Sequence, residues 1–250
     1  MKLSVSFCLF LMVSMVLVSS MSHAGIQLWD FDNIGNKKDW EEANGDWKFK
    51  KGIFQEVSGG QAAMHQIVRG VDWEKWVDYA VSAKIRIDEA NSKWAGLIFR
   101  AQKDNHAYYV YYLNVPDNKT EFWVHLPGGG FDKRRAVSSN IAAKKKLQKE
   151  KIEVDKWMDV KVVTKGSTFE FYINDELQGE LEDKDDEDLE IVAYEKGAVG
   201  VWCWQSKASF DDVMVEGDSV TDTLAVDPQS KLATTWSGIK TRPWNQYFLD

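Results

Sequence analysis

Seven residues stand out for what their side chains could do together: Arg100, Gln102, Tyr112, Trp123, His125, Trp202 and Trp204. Aromatic rings offer flat apolar surfaces on which the C–H face of a sugar can stack at low entropic cost. Arg, Gln and His add planar groups that can grip neighbouring hydroxyls. Five of the seven fall within residues 94–125, WAGLIFRAQKDNHAYYVYYLNVPDNKTEFWVH, which polar turns divide into three strands. Set out with period two, one series is plainly apolar: Leu97, Phe99, Tyr109, Tyr111, Leu113, Phe122, Val124 and Leu126. The other holds Ile98, Arg100, Gln102, Tyr108, Val110, Tyr112, Asn114, Glu121, Trp123 and His125. Alternate strand residues face opposite sides of a sheet, so the first series predicts a core and the second a surface. A solvated surface is normally rich in Lys, Thr and Glu, whereas this one is rich in rings and planar hydrogen-bonders. It has the composition of a sugar-binding floor.

The same alternation over residues 198–204, AVGVWCW, sends Val199, Val201 and Cys203 to the core and Gly200, Trp202 and Trp204 outward. Such residues need many strands to hold them. Lys51-Gly52 sits between two short alternating segments and predicts a hairpin, because Gly accepts positive φ at the turn. Residues 78–87 read as one long strand with Tyr79, Val81, Ala83, Ile85 and Ile87 on one side. Residues 157–166 and 167–174 form two more around a Lys-Gly turn, and 208–215 closes the series. About a dozen short strands without a long amphipathic helix predict an all-β, two-sheet antiparallel sandwich.

Composition narrows the setting. Residues 1–24 carry Lys2, an apolar run and Ser22-His23-Ala24, the plan of a secretory signal peptide, so the chain is expected to be secreted or periplasmic with no membrane span after cleavage. The whole chain has 31 basic and 39 acidic side chains, a net charge of −8, which disfavours nucleic acid and anionic lipid as partners. Outside the leader Cys203 is the single cysteine, so the core must supply the stability of what is expected to be a monomer. The sandwich is expected over residues 25–216. A tail, 217–250, has no strand rhythm but carries Trp236, Trp244, Tyr247 and Phe248, which predict that it packs back on the sandwich. Residues 131–155 form a strongly basic insert, read as a solvated loop or, alternatively, a lid over an acidic ligand.

The order of short signatures carries a resemblance. Gly45-x-Trp47, Asp78-Tyr79-x-Val81, Ala95-Gly-Leu-Ile-Phe-Arg100, Asn105-x-x-Tyr108-Tyr109, Phe171-x-Ile173-Asn174, Gly197-x-Val199-Gly200-Val201 and Phe210-Asp211-Asp212-Val213 follow one another. This resembles the concanavalin A-like lectin/glucanase jelly roll, and within it the laminin-G-like and 3-keto-disaccharide hydrolase-type domains. The resemblance implies two antiparallel sheets with ligand on a concave face or at its rim, and an Arg at the position of Arg100 that serves the ligand. It also implies that the first and last strands pair. Asp30, Asp32, Asp211 and Asp212 could then share a hard, oxygen-ligated ion such as Ca²⁺.

Catalytic signatures are weaker. A glucanase of this class needs two carboxylates on one face of a Glu-x-Asp-x-x-Glu strand, one to attack and one to protonate the leaving oxygen. The nearest match, Glu153-Val-Asp155-Lys-Trp-Met158, has Met where the acid should stand. His65, His106 and His125 show no helical metal spacing, and there is no nucleophile elbow or phosphate loop. Arg100 could instead form a salt bridge to Glu121. The sequence therefore favours a carbohydrate-binding sandwich with a glycan partner. The alternatives are a hydrolase or lyase acting on glycosides or 3-keto-sugars, with His125 and Glu121 as the first pair to suspect, and a surface adhesion or assembly module.

Overall fold

The computed structural model describes residues 24–32, 34–89, 91–130, 151–185 and 192–221. The expected leader, most of the basic insert and the tail from 222 onward lie outside the described residues. Fourteen strands are described: β1 (Gly25–Trp29), β2 (Trp40–Asn44), β3 (Trp47–Lys50), β4 (Ile53–Glu56), β5 (Met64–Val68), β6 (Tyr79–Ile87) and β7 (Trp94–Ala101), then β8 (Tyr108–Asn114), β9 (Lys119–His125), β10 (Trp157–Lys165), β11 (Thr168–Ile173), β12 (Glu176–Glu182), β13 (Ala198–Trp204) and β14 (Ala208–Gly217). Only two short 3₁₀ turns, Ile34–Asp39 and Trp73–Lys75, interrupt them among the described residues. Among these residues no helix is long and apolar enough to cross a membrane.

All pairings are antiparallel and build two sheets. The larger runs β12-β11-β10-β6-β14-β4-β3, with β1 added to β14, and the smaller runs β2-β5-β13-β7-β8-β9. The fold is the expected two-sheet jelly roll. Lys51 and Gly52, with φ of 53° and 72°, make the tight turn between β3 and β4, whose mirror-image geometry suits the twist of a hairpin. First and last strands pair as expected, Trp29 opposite Val213.

The period-two reading sorts the core, except that Leu126, just past β9, is only half-buried and stands outside it. Tyr79, Val81, Ala83, Ile85 and Ile87 of β6 meet Leu97, Phe99, Tyr109, Tyr111, Phe122 and Val124 of the smaller sheet in one apolar layer, together with Val199, Val201 and Cys203. Phe99 packs edge-on against Phe169, ring centroids 5.2 Å apart, an arrangement that favours the aromatic quadrupoles. The smaller sheet departs from the usual sandwich in one respect: its outward face is buried too. Ile67, Ile98, Ala101, Tyr108, Val110, Tyr112, Ala198 and Trp202 form a second apolar cluster there, with Trp94, Trp123 and Trp204 packed against it.

Candidate functional site

Strand register lays the outward face of the smaller sheet out in rows. One row runs His65 (β5), Trp202 (β13), Gly96 (β7), Tyr112 (β8) and Glu121 (β9); the next runs Ile67, Gly200, Ile98, Val110 and Trp123. A third brings Tyr108 beside His125. Gly96 lies between Trp202 and Tyr112 and offers no side chain to part them, so their rings meet with centroids 5.2 Å apart. A Cβ at Gly96 would sit 2.1 Å from the Tyr111 carbonyl oxygen, which is why only Gly fits the close approach of β8. Trp204 continues the surface, 6.4 Å from Trp202 and 5.5 Å from Trp94. Tyr108 stacks on His125 at 4.3 Å, and His125 meets Trp202 at 6.0 Å. Tyr112, Trp123, His125, Trp202 and Trp204 are thus brought together as the alternation predicts.

Arg100 and Gln102 are not. Arg100 has φ of 49°, a bulge that inserts one residue into the alternation of β7. Phe99 faces the core, and the next outward residue is Ala101 rather than Arg100. The Arg100 side chain is instead 2% exposed at the end of the sandwich. Its guanidinium donates to the carbonyls of Tyr194 (2.9 Å), Gly166 (2.6 Å) and Val77 (3.3 Å) and lies 5.0 Å from the Phe169 ring centre. It is a clamp holding three connections together, and the expected salt bridge to Glu121 is replaced by one between Glu121 and Lys119 at 2.7 Å. Gln102, carried past the bulge into the β7–β8 turn, donates to the carbonyls of Arg100 and Lys196.

Trp202 is also not the open stacking platform its outward position suggests, for it is 1% exposed. Trp94, Trp123 and Trp204 keep partial exposure and form the accessible part of the aromatic surface. The indole N–H of Trp94 is buried without a hydrogen-bond acceptor, a state that costs on the order of 1–3 kcal/mol until an oxygen meets it.

The polar members are held by the sheet itself. Glu121 accepts hydrogen bonds from the Tyr112 hydroxyl (2.6 Å) and the Asn114 amide (3.0 Å). Burial and the Glu121 carboxylate together push the Tyr112 phenol up, so it stays a donor. His125 and Glu121 stand four residues apart on β9, about 13 Å along the strand, too far to act as a direct acid–base pair. Burial, assisted by His65 and His106, pushes the His125 imidazole down to about 3, well away from the value a general base needs near neutrality. His65 lies 5.2 Å from Tyr108 and 6.2 Å from His106, so the three histidines gather at one end of the face. The sequence reading missed His65 because β5 is buried on both sides and shows no alternation to reveal it as a strand.

The four aspartates expected to share an ion flank the pairing of β1 with β14. Asp30 accepts the backbone N–H of Asp32 (3.2 Å), Asp211 that of Asp212 (2.7 Å), and Asp212 pairs with Lys84 at 2.6 Å. Among the described residues no three His, Cys, Asp or Glu side chains are grouped so as to hold a metal ion. The segment nearest a glucanase motif lies elsewhere: Glu153 precedes β10 of the larger sheet, and Met158 is buried in the main core.

A two-sheet jelly roll with a ring-lined outward sheet face defines the class. Within it the chain belongs to the 3-keto-alpha-glucoside-1,2-lyase-like domain family, whose model matches residues 27–216. Solved structures of the same fold include the carbohydrate-binding module CBM66 from Bacillus subtilis, 19% identical over 72% of this chain and 96% of that one, with a TM-score of 0.56. A protein of unknown function with a galectin-like fold, also from Bacillus subtilis, is 14% identical over 78% of this chain and 97% of that one, with a TM-score of 0.54. An endo-beta-1,3-glucanase from Pyrococcus furiosus is 11% identical over 76% and 93%, with a TM-score of 0.52. No curated protein matches the sequence.

Proposed function

We propose that this chain binds carbohydrate on the outward face of its smaller sheet, with Trp94, Trp123 and Trp204 as stacking surfaces and Glu121, Asn114 and His125 as the polar groups between them. The observation that carries the reading is the continuous ring surface crossing four strands, from Trp204 through Trp94, Trp202 and Tyr112 to Trp123. A solvated sheet needs no such surface, whereas a sugar ring buries apolar area against it while its hydroxyls find acceptors at the edge. The leader-like residues 1–24 support export to the periplasm or beyond, where glycans are met.

The test is titration of intrinsic Trp fluorescence with laminarihexaose, cellohexaose, maltohexaose and 3-keto-glucosides. A saturable shift is expected with at least one, weakened at least tenfold in Kd by Trp123→Ala with Trp204→Ala, since each stacking ring contributes about 1 kcal/mol. Absence of a saturable shift with every sugar sinks the reading.

A second reading, cleavage of a 3-keto-glucoside, draws on the family to which the chain belongs. Glu121 is its strongest candidate, because its carboxylate is buried on the same face beside the Tyr112 hydroxyl. Release of free sugar from a 3-keto-glucoside, lost in Glu121→Gln, would move the assignment from binding to turnover.

A further inference from the structure

We propose that His65 is a proton-operated strap: a proton taken up on its imidazole tightens the hold of β5 on the β7–β8 turn, at one end of the outward face, whatever that face binds. The ring bridges parts of the chain 40 residues apart. Its Nδ1 lies 3.2 Å from the carbonyl oxygen of Ala63, just before β5, and its Nε2 lies 2.7 Å from the carbonyl oxygen of Asn105 in the turn. Both partners only accept, and a neutral imidazole carries a single N–H. Neutral His65 therefore satisfies one contact and sets a lone pair against an oxygen at the other, whereas the imidazolium donates to both.

The surroundings choose which contact the neutral ring keeps. The Ala63 carbonyl already accepts from the Asn44 side-chain amide at 3.1 Å, so the single proton belongs on Nε2, facing Asn105. Protonation turns the repulsion at Nδ1 into a second hydrogen bond and makes the bond to Asn105 charge-assisted, roughly twice as strong as a neutral one. The turn is placed to feel that change. The Asn105 side chain accepts from Arg69 (2.8 Å) and donates to Glu41 (2.7 Å), so backbone and side chain together tie the turn to β2 and β5. Tyr108, which leaves the turn as the first residue of β8, lies 5.2 Å from the His65 ring and stacks on His125 at 4.3 Å. The strap thus also fixes the ring stack at this end of the face.

Neighbouring groups set the range over which it works. Burial opposes the charge most, the Asn105 and Ala63 carbonyls favour it, and His106 and Arg69 oppose it, which together hold the imidazole below its usual value of 6.5. From β9, His125 adds another imidazole; from β8, the Tyr108 phenol is kept neutral by burial; β13 presents the uncharged Trp202 and β2 the uncharged Asn44. The acids on this side are engaged elsewhere, Glu41 with the Asn105 amide and Asp104 with the His106 ring (3.1 Å) and the Gly128 N–H (2.7 Å). Acid therefore tightens this contact even as it lowers the stability of the whole fold, because the unfolded chain takes the same proton more readily.

Long-range proton–nitrogen spectra of the histidine rings, recorded with amide hydrogen exchange on the full chain between pH 8 and 4, test the proposal. At pH 8 His65 should show a protonated Nε2 and a bare Nδ1, and both should move to the imidazolium position as the pH falls. Over the same midpoint the His106 and Ala107 amides, which bond to Asp104 within the turn, should gain about tenfold in protection once the intrinsic effect of pH on exchange is removed. The gain should persist in His106→Gln and vanish in His65→Phe. A His65 ring that stays neutral down to pH 4 overturns the proposal, as does turn protection that follows the His106 midpoint or survives in His65→Phe. Should His65→Phe fail to fold, the His65 and His106 midpoints of the unaltered chain, read in the same spectra, decide between the two rings.

Discussion

The outward faces of the two sheets share a fold and differ in kind. On the larger sheet burial alternates along β6, and the outward Ser82, Lys84 and Arg86 are solvated in the ordinary way. Two of its aromatic rings are covered by cationic head groups: the Arg86 guanidinium lies 4.8 Å from the Trp157 ring centre and the Lys161 ammonium lies 4.6 Å from that of Tyr172. On the smaller sheet every residue of β8 is buried, and rings are covered by other rings. Strand pairing does not require the second arrangement, since β6 has neighbours on both sides without it. This difference is what supports the proposal that the smaller sheet's outward face binds a ligand.

Two tryptophans, one on each outward face, give the sharpest way to break this comparison. Trp202→Ala should lower the free energy of unfolding in urea by about 4 kcal/mol, the cost of removing a ring that other rings enclose. Trp157→Ala, whose ring is half-exposed beneath Arg86, should cost about 1 kcal/mol. Equal costs would mean that the smaller sheet's face is as solvated as its counterpart and that its rings have no special role.

Arg100 shows where the sequence was legible and where it was not. Alternation carried the inner series, the hairpin at Lys51-Gly52, and the outward placement of Tyr112, Trp123, His125, Trp202 and Trp204, because each depends on a period that neighbours in sequence reveal. It failed at Arg100 because a single residue at positive φ shifts every later side chain to the other face, and the pairing of β7 with β13, which holds that bulge, joins residues a hundred positions apart. The same long-range dependence hid His65, whose partners are Trp202 across the sheet and Asn105 in a turn. A clamp and a ligand-binding residue also respond differently to mutation. Arg100→Met should destabilise the fold by about 3 kcal/mol, removing the buried guanidinium that donates to the carbonyls of Tyr194 and Gly166, and should leave the glycan Kd of the folded protein unchanged. A variant that melts normally and loses sugar binding would return Arg100 to the site.

Acid should separate the two faces by the sign of their response. His125 and His65 on the smaller sheet are both held below their ordinary value of 6.5, mainly by burial, and His125 reaches about 3. In that window the unfolded chain binds protons that the folded chain refuses. The stability these histidines contribute is therefore complete above about pH 6.5 and is lost as the pH falls, for His125 by up to about 1.4 kcal/mol per pH unit. On the larger sheet Asp211 is pushed up to about 7 from 3.8, first by burial and then by the neighbouring Asp212 carboxylate. Its folded form takes up a proton before its unfolded form does, so its contribution is greatest below 3.8 and is lost as the pH rises towards 7. Between about pH 4 and 6.5 the two faces oppose one another. Urea midpoints measured across that range should fall more steeply with acid in Asp211→Asn than in the parent chain, and should fall less or rise with acid in His125→Phe. If His125→Phe keeps the parent's slope, the imidazole is solvated, and the buried character assigned to the smaller sheet's face fails with it.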